Sequence, residues 1–492
     1  MQTIEQNIWE HARLHPDKVA VKSGKDSTTY RQLTVCIHRA SKFFHDLAQY
    51  APGRCVVMAA NKQLEFLYFY WGAHYAGLIA VPIDSETNPS RFQNIIYEVN
   101  PICIIGFDNK DTKIPTYDFK SLRGLFSNCE DANIPIASFP DENQIADILF
   151  TTGTTGTPKG VPLTYHNEAA AVRNINNYIQ NCTDDIEVLA LPISHSFGLG
   201  RIRCCLAKGQ TLILLGSFVN TKKLFRTIEE EQATGFSMVP ASWRFLQKMT
   251  GTRLADYSHQ LKYIEMGSAY FSAEEKKKLA NLFPETRIVM HYGLTEASRS
   301  AFLEFHDTEH LTSVGQAAPH TEILVFDETG HQLPVNTEGE ICIKGDHVAN
   351  GYLNNDNSLF FYGNRYFRTS DLGSIDVDGY IYLKSRINEL INVGGKKVAP
   401  TEIEDALFKI SGIKDCACIG VPDADGILGE VVKAYIVKDE STFLSFEMIS
   451  KQLETKLESY KRPVEYEWTD TIPKTSNGKI IRRLLKDDSN NR

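Results

Sequence analysis

The chain has 492 residues and a formal net charge of −9, and its length suggests about three domains. Apolar residues make up 42% and charged residues 23%, ordinary for a soluble globular enzyme with a large buried core. The acidic balance argues against a nucleic-acid binder, because no basic stripe is available to neutralise phosphates.

Residues 1–15 are polar and amphipathic, without the apolar core run of a signal peptide. No stretch of about 18 apolar residues is present to span a membrane. The ten cysteines are scattered, with Cys204 and Cys205 adjacent and Cys416 and Cys418 spaced to share one strand face. Partner ligands for a metal are not near them, so no zinc site is expected, and reduced thiols in a cytoplasmic enzyme are the reading. The longest basic run, Lys276-Lys277-Lys278 after Glu274-Glu275, reads as a solvated helix face.

In chain order, residues 4–16 read as a helix and 18–22 as a short strand. A second helix runs from 29 to about 48, and strands at 55–58 and 78–82 flank a helical stretch at 63–76. Residues 90–99 are helical and 103–106 extended. The segment 107–144 lacks periodicity and carries Pro115, Pro135 and Pro140, so it reads as irregular chain.

The apolar run 145–150 reads as a buried strand. It breaks into Thr151-Thr152-Gly153-Thr154-Thr155-Gly156-Thr157-Pro158-Lys159-Gly160. Glycines let a backbone approach a ligand closely, and hydroxyls, N–H groups and a Lys bind phosphate oxygens. This is not a Walker A loop, in which the Lys opens a helix. Here Pro158 precedes Lys159 and extended chain follows at 161–163.

Strand-like runs at 188–191, 211–215, 235–239, 263–266 and 287–290 then alternate with helical stretches such as 221–232 and 273–282. That alternation is the mark of βαβ units around a mostly parallel sheet, whose ligands bind beyond the carboxyl ends of the strands. The loops there are Pro192-Ile193-Ser194-His195-Ser196-Phe197-Gly198-Leu199-Gly200, Gly267-Ser268-Ala269 and His291-Tyr292-Gly293-Leu294-Thr295-Glu296. A Tyr beside a Gly can stack on a base, and a Glu can hold Mg²⁺ through oxygen.

From about residue 311 the pattern becomes antiparallel, with short strands at 322–326 and 339–344, Asp371 within 366–373, and a hairpin turn at Asp378-Gly379. Ser385-Arg386-Ile387-Asn388-Glu389 interrupts the strands and Gly394-Gly395-Lys396-Lys397 follows, which places a domain boundary near Asn388. The remainder reads as a small α+β domain: helix 400–410, strands 415–421 and 431–437, helix 446–457 and strand 464–468. The tail 472–483 carries Lys479 on a glycine turn, expected to be exposed.

In order, spacing and domain context, these motifs resemble the acyl-activating (adenylate-forming) superfamily over nearly the whole length. That superfamily includes acyl-CoA synthetases, the adenylation domains of peptide synthetases, and luciferases. The resemblance implies a mixed α/β fold: a large N-terminal domain of βαβ-built sheets plus an antiparallel subdomain (1–387), with a small mobile α+β C-terminal domain (388–492). It implies an acyl-adenylate and pyrophosphate made from a carboxylic acid and MgATP, followed by transfer of the acyl group to a thiol.

The ATP and AMP contacts so implied are Thr151, Thr152, Gly153, Thr154, Thr155, Gly156 and Lys159 on the β- and γ-phosphates, Gly267, Ser268, Ala269, His291, Tyr292 and Gly293 about the adenine, and Asp371 with Arg386 at the ribose. Thr295 would contact the α-phosphate and Glu296 would bind Mg²⁺. Lys479 resembles the lysine that bridges carboxylate and ATP, and His195 joins the catalytic set. Asn388 would be the hinge, and Gly394 and Gly395 would line the thiol tunnel. A carboxylate is a poor nucleophile towards another anion, so charge at phosphorus must be neutralised, which a Lys, Mg²⁺ and hydroxyl donors accomplish.

Two departures stand out. The hinge residue, commonly Asp or Lys in the family, is Asn388. The acid pocket, where small or apolar residues are expected, carries Arg201, Arg203, His291 and Arg299 beside Phe197. Arg201 or Arg299 is expected to recognise a second anionic or polar group on the acid, since a guanidinium pairs well with a carboxylate. The alternative is that these arginines pair with a local Asp or Glu. CoA is the leading thiol acceptor. The rival is the phosphopantetheine of a separate carrier protein, since no Ser-centred carrier helix is read after Arg483. An amino-acid substrate is disfavoured, because Ser196 or Phe197 stands where an Asp usually holds the amine. A non-catalytic nucleotide-binding protein on this fold is the remaining alternative, and monomer and homodimer are both open.

Overall fold

A computed structural model describes residues 2–107, 113–129, 133–136, 138–151, 158–425, 427–439, 442–475 and 478–490. Thr152, Gly153, Thr154, Thr155 and Gly156 of the expected phosphate loop lie outside the described residues. The chain packs into two compact units, one of residues 1–322 and 343–367, the other of 323–342 and 368–492. The divisions fall inside the strands Thr321–Phe326, Gly339–Gly345 and Tyr366–Ile375.

Among its described residues the first unit holds two sheets. The larger has nine strands, and its parallel centre runs Arg287–Tyr292, Tyr263–Met266, Gly235–Met238, Ile186–Leu189, Thr211–Leu214 and Val19–Ser23. The pairing Gly235↔Tyr263↔Arg287 keeps these strands nearly level, so their carboxyl ends open on one edge of the sheet. Arg287–Tyr292 then continues into a hairpin rather than a helix, with Tyr292 opposite Ala301. The second sheet has six strands in the order Thr116–Tyr117, Cys103–Ile105, Cys55–Ala59, Ile79–Ile83, Ile145–Thr151, Lys159–Thr164. The last two pair antiparallel with Thr151 opposite Lys159.

Local sequence explains the helices that bear on the site. Thr164 caps helix Tyr165–Ile179 reciprocally with Asn167, each side chain accepting the other's backbone N–H. The Asn167 amide also donates to the carbonyls of Asp346 and Val348 at 2.7 and 3.1 Å. Residues 192–200, expected as one loop, turn into helix at Ser196, and that helix runs to Lys208. Lys276, expected on a solvated face, is buried, and its ammonium donates to the carbonyls of Leu311 and Ser313 at 2.7 and 3.0 Å. Burial lowers its pKa to about 8. All ten cysteines are unpaired as disulfides.

In the second unit, strands Ile413–Pro422, Glu430–Lys438 and Glu465–Trp468 form a three-stranded sheet covered by helices Pro400–Phe408 and Phe446–Leu453. Cys416 and Cys418 point together into its core with Val398, Leu407, Ile436 and Leu453. Hairpin Ile391–Val393/Lys396–Val398 turns at Gly394 and Gly395, whose φ values are 58° and 83°. Two successive positive φ values are the tight hairpin geometry that glycine accepts without strain.

Candidate active site

Three strand ends in the first unit converge. His195 is the N-cap of helix Ser196–Lys208, Gly267 follows Tyr263–Met266, and His291 and Tyr292 close strand Arg287–Tyr292. The Phe197 and His291 rings meet edge to face with centroids 4.6 Å apart. A Cβ built on Gly267 would lie 2.2 Å from the His291 ring, so only hydrogen fits between strand and imidazole. Ser268 beside it takes φ 72°.

Gly293 opens a tight turn in which the Leu294 and Ala297 backbones bond to each other at 3.1 and 3.3 Å. A Cβ at Gly293 would meet Arg299 N at 2.5 Å and Ala297 O at 2.6 Å. The turn fixes Thr295 and Glu296. Glu296 is buried, and its Oε1 accepts a hydrogen bond from the Tyr352 hydroxyl at 2.6 Å. The ammonium of Lys159 lies 4.9 Å from the Tyr352 ring centre. Thus Lys159, Tyr352 and Glu296 form one constellation, and Tyr352 is the member that sequence reasoning missed. Among the described residues no cluster of three His, Cys, Asp or Glu could hold a metal. Glu296 supplies a single carboxylate, which fits Mg²⁺ arriving with nucleotide phosphates and water.

Behind this edge lies a buried charge network. Arg201 donates to both oxygens of Glu187, the Nε bond measuring 2.9 Å, and its Nη1 lies 3.1 Å from Glu265. Tyr263 and Ser237 also donate to Glu187, at 2.7 and 3.2 Å. Arg299 donates to Glu265 at 3.2 Å and to the carbonyls of Ser196 and Phe197 at 2.9 Å each. His291 Nδ1 sits 2.7 Å from Glu265. Burial would raise the Glu265 carboxyl, but the Arg299 and Arg201 guanidiniums and His291 hold it well below the usual range. Burial lowers His291 despite Glu265.

These contacts correct the expectation that Arg201 or Arg299 recognises the acid. Arg201 is wholly buried against Glu187 and Glu265, and Arg299 is held by Glu265 and two carbonyls. Arg203 is likewise engaged, by Tyr70, Asp147 and Glu168. Their carboxylate partners sit on neighbouring strands and on a helix distant in sequence, which a linear reading cannot pair. His195 has its pKa lowered by burial, with the Asp84 charge opposing.

The second unit carries the other expected residues. Asp371 and Arg386 stand opposite one another on paired strands, and the guanidinium Nε lies 2.7 Å from Asp371 Oδ1. Arg386 also donates to Thr369 O at 2.9 Å. Lys479 is exposed in a turn closed by Thr475 N to Lys479 O at 2.8 Å and Lys479 N to Thr475 Oγ1 at 3.1 Å. Asn388 is exposed in the short 3₁₀ turn Ile387–Glu389.

The fold, with Tyr292, the Gly293 turn and the buried Glu296 gathered at one sheet edge, is that of an adenylate-forming enzyme of the acyl-CoA synthetase kind. Residues 8–353 match the family described as AMP-binding enzyme, and residues 402–479 match the AMP-binding enzyme C-terminal domain. The chain belongs to that family. It is 32% identical to a 2-succinylbenzoate–CoA ligase of Enterococcus faecalis over 70% of this chain and 69% of that one. It is 28% identical to an oxalate–CoA ligase of Arabidopsis thaliana over 98% of both. Its fold superposes on ATP-bound MatB from Rhodopseudomonas palustris with a TM-score of 0.88, at 24% identity and covering 99% of each chain.

Proposed function

We propose that this enzyme is an ATP-dependent, AMP-forming carboxylic acid–CoA ligase. The observation that carries the reading is the constellation of Lys159, Tyr352 and Glu296 beside the Gly293 turn. The CoA-ligase names of the relatives that match most of the chain support it.

In this reading Tyr292 stacks on adenine with Gly267, Ser268 and Ala269 against it, and Asp371 with Arg386 takes the ribose hydroxyls. Lys159 and the loop before it hold the outer phosphates, Thr295 contacts the α-phosphate, and Glu296 binds the Mg²⁺ that enters with ATP. The acid's carboxylate attacks the α-phosphorus and pyrophosphate departs. Lys479 neutralises charge at that step, when both reactants are anionic. A thiolate then attacks the acyl carbon and AMP departs. Gly394 and Gly395 line the path of that thiol, with the hinge at Asn388. Phe197 and Arg299 wall the acid pocket, Arg299 as packing rather than as an anion receptor.

The test is pyrophosphate release with MgATP across short, long, aryl, hydroxylated and dicarboxylic acids, with and without CoA. Turnover that requires CoA and one class of acid, and that Lys479→Ala abolishes, is the expected result. Release that CoA does not accelerate would replace CoA by a carrier protein. ATP binding without release from any acid would overturn the enzymatic reading.

A further inference from the structure

A small cavity lies between helices Tyr165–Ile179 and Ser196–Lys208, beside Thr295. Its volume is about 20 Å³, and Glu168, Arg203, Asn167, Ser298, Val172 and Ile175 are among its walls. That volume is room for a single water-sized group. Glu168 is 3% exposed. Its Oε1 lies 2.8 Å from the Arg203 guanidinium, while Oε2 has no hydrogen-bond partner among the described residues. A buried polar atom without a partner costs about 1–3 kcal/mol unless something completes it.

We infer that this cavity receives a hydroxyl group on the non-reacting end of a short carboxylic acid, and that Glu168 is the residue that selects for it. The inference rests on the acid–CoA ligase reading, since it places the reacting carboxylate beside Thr295. Three features favour a hydroxyl. The space admits one oxygen but not a carboxylate. Arg203 is already shared by Tyr70, Asp147 and Glu168, so no guanidinium is left for a second anion. Val172 and Ile175 give the space apolar flanks, which disfavour charge. Burial and the nearby Glu5 carboxylate push Glu168 well above the usual range. The unpartnered Oε2 can accept from a hydroxyl in either protonation state. A water held there in the absence of substrate is the natural group for such a hydroxyl to displace.

The experiment compares 3-hydroxypropanoate, 3-hydroxybutanoate and 4-hydroxybutanoate with their unsubstituted parents, reading kcat/KM for pyrophosphate release. In parallel, the non-reactive sulfamoyl analogues of the same acyl-adenylates are titrated by calorimetry. The wild-type enzyme should prefer at least one hydroxy acid by about tenfold, the worth of one satisfied buried hydrogen bond. Glu168→Leu should erase that preference, read as the ratio of kcat/KM for the hydroxy acid to that for its parent, and Glu168→Gln should keep most of it. Ala171→Val, which fills the cavity wall without touching Glu168, provides a second variant and should also erase it. Equal use of every pair, or a preference that survives both Glu168→Leu and Ala171→Val, would overturn the inference. If no acid turns over, the ligase reading fails separately. The analogue pairs still decide, since equal binding of both members overturns the hydroxyl pocket.

Discussion

The hydroxyl of Tyr352 reaches the buried carboxylate of Glu296 at 2.6 Å and orients the oxygen it touches. On the proposed reading, the second oxygen takes the Mg²⁺ that enters with ATP. Tyr352→Phe removes the donor and leaves an acceptor buried, a loss of about 1–3 kcal/mol. The expected result is a fall in pyrophosphate release of about tenfold or more and a higher Mg²⁺ requirement, with the apparent affinity for the acid little changed. A Mg²⁺ titration of the variant checks it.

Gly293→Ala drives a methyl against backbone, Arg299 N at 2.5 Å and Ala297 O at 2.6 Å. No rotamer relieves such a contact, so the turn must shift, at about 1–3 kcal/mol. Because Thr295 and Glu296 ride on that turn, the KM for MgATP should rise several-fold while the protein still folds. Steady-state kinetics together with a thermal melt separate the two effects.

Arg201→Met tests the network. It strips Glu187 and Glu265 of a shared buried counter-charge, which is worth about 3–5 kcal/mol when one partner of such a pair is lost. The expected outcome is a large drop in urea midpoint. If Arg201 instead touched substrate, the loss would fall on one class of acid with stability preserved.

His347 is buried with its Nε2 2.9 Å from the Ser300 hydroxyl, and burial lowers its pKa from 6.5 to about 4. The unfolded chain therefore binds a proton that the folded chain refuses between those values. Stability should be full above about pH 7 and decline as pH falls from about 6.5 towards 4, by about 2–3 kcal/mol from this residue. His347→Gln should flatten that part of the stability–pH curve, measured by urea unfolding at pH 7.5 and 5.

Much of the fold could be read from the sequence because parallel strands announce themselves as short apolar runs that end at glycine or proline. The strands at 186–189, 263–266 and 287–292 stand close to where periodicity put them. The motif loops at their ends were legible for the same reason. What escaped was side-chain pairing across the chain. Glu187 precedes Arg201 by 14 residues but meets it across a strand and a helix, and Glu265 lies farther still. Neither spacing resembles a local ion pair. Lys276 looked solvated because its neighbours are, although two carbonyls 35 and 37 residues away receive it. Tyr352 was invisible because it sits in an irregular segment beyond the hairpin, with no motif around it.

The buried network also bears on how this enzyme could change its diet. Arg201, Arg299, Glu187 and Glu265 balance charge for charge behind the proposed acid pocket. A single substitution that enlarged the pocket there would strand an ion, whereas replacing an Arg and its Glu together by apolar side chains is nearly neutral. New substrate ranges at this wall are thus reached by paired changes, and a library randomised one position at a time would find almost none of them.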